Sequence, residues 1–125
     1  MKGEELRQAV RALLKSHPDI AVSSAGHATH AERYETKSGL PIGFEPERIR
    51  FQNLWVRANS VRRHMLKDIE QVYYDHGDFG HSKPNHNLFC EGAFSDSDDL
   101  IRFQVTDLWQ AVRVIREVAG DGSKS

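Results

Sequence analysis

The sequence predicts an α+β domain of two layers, a largely antiparallel sheet with three helices in the order α-β-(β)-β-α-β-β-α. Three observations carry this expectation. Apolar stripes at helical spacing stand at both ends of the chain and once in the middle. Between them lie runs in which apolar and polar residues alternate. The last two of these runs are joined by a five-residue polar turn, Ser95-Asp96-Ser97-Asp98-Asp99, as an antiparallel hairpin would be.

The first helix is read from Leu6, Ala9, Val10, Leu13 and Leu14, which fall on one face between Glu4 and Lys15. Pro18 stops it, because the residue before a proline is pushed out of the α region. Ile20-Ala21-Val22 is a short strand candidate, and a polar edge strand is expected near 31–37. The rest of 23–47 reads as turns around Gly39-Leu40-Pro41 and Glu45-Pro46. From Arg48 the pattern clears, and Ile49, Phe51 and Trp55 alternate with Arg50, Gln52, Leu54 and Val56 as a strand with one well-buried face.

A second helix is expected from Ser60 to about Tyr74, with Val61, Met65, Ile69, Val72 and Tyr73 as its stripe and Gly77 as its stop. The hairpin would join 87–94 to 100–105. A final helix follows, capped by Thr106, buried along Leu108, Val112, Ile115 and Val118, and ended by Gly120. Residues 1–120 therefore form one expected domain, long enough for one core and not two, and 121–125 a flexible polar tail.

No apolar run approaches the ~18–20 residues of a membrane span, and Met1-Lys2-Gly3-Glu4-Glu5 opens on charge rather than on a signal-peptide core. A cytoplasmic protein without membrane association is expected. The single cysteine, Cys90, has no partner for an internal disulfide, which agrees with a reducing compartment. It reads as a small core residue.

The net charge of −1 predicts no bulk attraction to nucleic acid, yet the charges are unevenly distributed. From Arg48 to Lys67 there are six Lys or Arg and no acid, whereas Asp68 to Asp78 holds four acids and no Lys or Arg. Arg48, Arg50, Arg57, Arg62, Arg63 and Lys67 are interleaved with Phe51, Trp55, Gln52, Asn53 and Asn59. Cations suit phosphates, flat rings suit bases and amides suit base edges, so a DNA- or RNA-binding segment is expected here. The alternative is a solvated cationic face that meets the acidic run, a protein partner or a second copy of the chain.

Histidines give a second signal. His76, His81 and His86 lie five apart in a loop broken by glycine and proline, and His27 and His30 form an HxxH pair. If a metal is bound, the expected ligands are His76, His81 and His86, because the loop lets their rings converge whereas strand neighbours diverge. The expected ion is then Zn²⁺, which imidazole ligands suit. The same loop, with Lys83, also contains residues suited to acid–base catalysis on a phosphodiester.

Finally, Pro18-Asp19 followed by Glu35-Thr36-Lys37 resembles the PD-(D/E)xK signature of restriction-type nucleases. The resemblance covers five residues. It implies that Asp19 and Glu35 share a Mg²⁺ on adjacent strands and that Lys37 helps position or activate the attacking water. No P-loop, GxGxxG, GxSxG or HExxH occurs, which disfavours nucleotide-cofactor and serine-hydrolase chemistry.

Overall fold

The computed structural model describes residues 3–24, 26–27, 31–46, 50–79, 84, 88–89 and 93–120. Among these residues two α-helices and six strands follow one another in the order α1 (Gly3–Ser16), β1 (Ile20–Val22), β2 (Glu32–Thr36), β3 (Pro41–Glu45), β4 (Gln52–Arg57), β5 (Glu70–Tyr74), β6 (Leu100–Val105) and α2 (Leu108–Ala119). All strands pair antiparallel in one sheet ordered β1-β2-β3-β4-β6-β5.

Both helices pack on one face. Leu6, Val10 and Leu14 of α1 and Ala111, Val114, Ile115 and Val118 of α2 meet Ile42, Phe44, Leu54, Val56, Ile101, Phe103 and Val105 in the main core. The opposite sheet face carries a smaller cluster of Trp55, Tyr74 and Leu100, covered by Ala31, Leu88 and Phe94. Buried on both sides, Gln52–Val56 is more deeply enclosed than its alternating pattern predicts. Gly43 lies opposite Trp55 and sits against Leu88 and Phe94, leaving no room for a side chain.

The expected helix over 60–74 is not formed. Its first half makes two 3₁₀ turns, Ala58–Ser60 and Arg63–Leu66, and its second half is β5. Leu66 and Ile69 are buried, but Met65, Val72 and Tyr73 remain 49%, 37% and 40% exposed, so the helical stripe is not one buried face. Val72-Tyr73-Tyr74 is a β-branched and aromatic run, and pairing with β6 decides its conformation over a weak local helical pattern.

The expected hairpin is also replaced. Leu100–Val105 pairs with β4 and β5, while the described residues of 87–94 contribute only an isolated Phe89–Phe94 bridge. Strand β3 falls where turns were expected. At the last helix the cap moves by one residue: Asp107, not Thr106, accepts from the Gln110 N–H at 2.8 Å. Gly120 ends this helix with φ of 74°, a left-handed conformation that glycine adopts without strain. No helix is long and apolar enough to cross a membrane among the described residues. The tail 121–125 lies outside them.

A candidate acid–base cleft

Strand pairing brings two loops together. Tyr74 on β5 faces Leu100 on β6, so one step beyond that pair Asp75 and Asp99 leave the sheet side by side. Two like charges at such spacing repel, and His76 stands next to both. The Asp99 backbone carbonyl accepts from Ala58 N at 2.8 Å, which ties this corner to the end of β4. The preceding turn is closed by Ser95 N donating to Asp98 at 3.0 Å, and Asp98 accepts from Arg57 at 3.2 Å.

Asp99 is the centre of the arrangement. Its Oδ1 accepts from the His76 backbone N–H at 3.0 Å and lies 2.6 Å from His76 Nδ1. Its Oδ2 accepts from the Tyr73 hydroxyl at 2.5 Å. The His76 backbone N–H, the Tyr73 hydroxyl and the His76 ring together hold the Asp99 carboxyl down at about 2. In return, hydrogen bonding to Asp99 raises the His76 ring above its ordinary value and raises the Tyr73 phenol.

Asn59, Arg63, Tyr73, His76 and Asp99 line an open cleft of about 490 Å³, within the usual size range of small-molecule sites. The Arg63 guanidinium lies 5.0 Å from the centre of the Tyr73 ring and donates to Gln71 at 2.7 Å. Arg63 also borders an adjoining shallow groove of about 610 Å³ with His64, Lys67 and Gln71.

The expected cationic residues therefore separate into groups. Arg57 is paired with Asp98, and Arg62 is paired with Glu117 at 2.7 Å. Arg63 and Lys67 have no carboxylate partner among the described residues, and Arg50 is exposed. Arg48 lies outside the described residues. The aromatic part of the expectation changes as well. Trp55 is only 2% exposed and its indole donates to Glu45 at 3.0 Å, so it cannot stack on a base. Phe51 is half-buried.

Of the expected metal ligands, His76 belongs to the cleft, whereas His81 and His86 lie outside the described residues. Asp75, His76 and Asp99 each place one ligand-type atom within 4.8 Å of the others. These groups already have internal partners: Nδ1 of His76 meets Asp99, and Asp75 accepts from Gly77 N at 2.8 Å. His27 Nδ1 accepts from Arg33 N at 3.0 Å.

Asp19, Glu35 and Lys37 do come together, around a separate hollow of about 270 Å³ at the β1–β2 edge. Lys37 Nζ lies 3.2 Å from Asp19 Oδ1, while the Glu35 carboxylate accepts from Ser24 N at 2.7 Å. Glu4, on α1, is held by Arg7 and Gln8.

Asn59 was expected as one of the amides of the basic segment, whereas Tyr73, Asp75 and Asp99 were not singled out as site residues by sequence reasoning. The signal was Tyr73-Tyr74-Asp75-His76 ending one strand and Asp98-Asp99 opening another, legible only once those strands are known to be partners. Comparison of the chain with protein-family models, with curated proteins and with solved structures found no match.

Proposed function

We propose that this domain associates with nucleic acid through the groove of Arg63, His64, Lys67 and Gln71 and the adjoining cleft. The carrying observation is that Arg63 and Lys67, which no carboxylate neutralises among the described residues, line one concave surface beside an exposed ring, Tyr73. Cations attract phosphates, Asn59 in the adjoining cleft offers an amide, and Tyr73 takes the stacking role expected of Trp55.

Fluorescence anisotropy with short single- and double-stranded DNA and RNA across a salt series tests this. Arg63→Glu with Lys67→Glu weakens binding to every sequence and flattens the salt slope by about 1.5, since each phosphate contact contributes ~0.7–0.9. An unchanged slope overturns the reading.

One observation favours a second reading, self-association. β5 is the last strand of the sheet, and Val72 and Tyr73 on it are 37% and 40% exposed. An edge with open backbone groups can pair with a second copy. Light scattering over a concentration series, with Val72→Lys as the disrupting variant, decides it.

A further inference from the structure

We propose that the cleft is a ribonuclease site in which His76, oriented by Asp99, is the general base that removes a proton from a ribose 2′-hydroxyl. The inference rests on nucleic-acid binding at the adjoining groove and adds to it a substrate class and a reaction.

Four observations converge on it. Asp99 Oδ1 holds His76 at two points, its backbone N–H and its ring Nδ1. With Nδ1 engaged, Nε2 is the ring nitrogen left to exchange a proton, and it has no partner among the described residues. His76 is 51% exposed by side chain and borders a cleft of about 490 Å³, so a substrate can reach it. Arg63 borders the same cleft and supplies a fixed positive charge for a phosphate.

A carboxylate behind an imidazole sets its tautomer and stabilises the imidazolium formed when it takes a proton. The neighbouring groups match this role. Asp75 adds negative charge beside the ring, and Tyr73 holds the far oxygen of Asp99 so that the carboxylate cannot rotate away.

The step balances without an added cofactor. Nε2 of His76 takes the 2′-hydroxyl proton as the 2′-oxygen forms a bond to phosphorus. The bond from phosphorus to the 5′-oxygen breaks, and that oxygen takes a proton from solvent. His76 then returns its proton to solvent. The products are a 2′,3′-cyclic phosphate and a free 5′-hydroxyl. DNA lacks the nucleophile and is bound without being cut. Asp75, His76 and Asp99 also lie close enough to gather a cation, in competition with the hydrogen bonds they already make.

The experiment incubates the full chain with fluorescent single-stranded RNA in EDTA and identifies the ends by mass spectrometry. The expected result is cleavage to cyclic phosphate and 5′-hydroxyl ends, with the matched DNA intact. His76→Gln lowers the rate by about 100-fold or more while RNA still binds. His76→Ala regains part of its activity in added imidazole, which a merely structural role would not produce. Asp99→Asn, a change at a positioning residue, slows cleavage and moves the rising limb of the pH profile to lower pH.

Bound but uncut RNA in the wild-type sample overturns the ribonuclease site and leaves the binding proposal standing. Absence of RNA binding overturns both. Cleavage that disappears in EDTA, or that persists unchanged in His76→Gln, also overturns the assignment to His76.

Discussion

Asp99 and His76 are joined twice, through the backbone N–H at 3.0 Å and through Nδ1 at 2.6 Å, so one carboxylate sets both the position and the tilt of the ring. The pairing has a measurable titration. Proton NMR of the His76 ring should give a pKa above the ordinary 6.5, and Asp99→Asn should lower it, because the neighbouring negative charge is gone.

The same pair makes stability depend on pH in a defined window. A raised histidine stabilises fully below its unfolded value of 6.5, and the contribution is lost as pH rises through the raised folded value. A depressed carboxyl stabilises above its unfolded value of 3.8, and the contribution is lost as pH falls towards about 2. The difference in urea midpoint between wild type and Asp99→Asn should therefore be widest between these unfolded values and shrink on either side. A difference that is flat from pH 4 to 9 contradicts the pairing.

A second polar group lies under α1. Glu32 accepts from Arg11 at 2.8 Å and from the Tyr34 hydroxyl at 2.6 Å. Burial pushes the Glu32 carboxyl up, but the bonds from Arg11 and Tyr34 outweigh it and the net shift is downward. Burial and the same carboxylate push the Tyr34 phenol well above its usual range. Glu32→Ala leaves a guanidinium and a hydroxyl without their acceptor and should cost about 2 kcal/mol in urea unfolding. Lys37→Ala, at an ion pair whose lysine side chain is 76% exposed, should cost under ~1 kcal/mol.

Gly43 answers a packing demand. A Cβ there would run into Leu88 and lie 3.2 Å from both Phe94 and the Trp55 Cβ. Gly43→Ala should lower stability by about 2 kcal/mol, as overpacking a filled interior does. Thermal unfolding checks it.

The two tryptophans make contrasting probes, Trp55 at 2% exposed and Trp109 at 62%. In Trp109→Phe the remaining emission should resist acrylamide and stay unchanged when RNA is added. A response of Trp55 to RNA would return it to the binding surface.

What the chain disclosed about itself follows from where the deciding forces act. α1 and α2 were legible because their stripes, such as Leu6, Val10 and Leu14, face one core at a fixed spacing. β3 was hidden, since Pro41, Gly43 and the flanking turn residues look like loop until Trp55 and Leu88 close over them. β5 was mistaken for helix because Val61, Met65 and Ile69 share a helical period, while its partner lies some thirty residues away at Leu100–Val105. The basic segment was visible as composition. Which of its arginines are neutralised was not, because Asp98 and Glu117 reach Arg57 and Arg62 from distant parts of the chain.

The position of β6 between β4 and β5 has a consequence for how the molecule is made. Synthesis delivers the N-terminal part first, so β4 and β5 emerge with the cations and His76 while the strand that joins them is still absent. Asp99 arrives immediately before that strand. A nascent chain released before residue 100 would carry the positive charge but hold neither edge of the cleft in place. Ring orientation and sheet closure thus arrive in one event, once Leu100–Val105 has emerged, and chains truncated before it lack the acid–base pair.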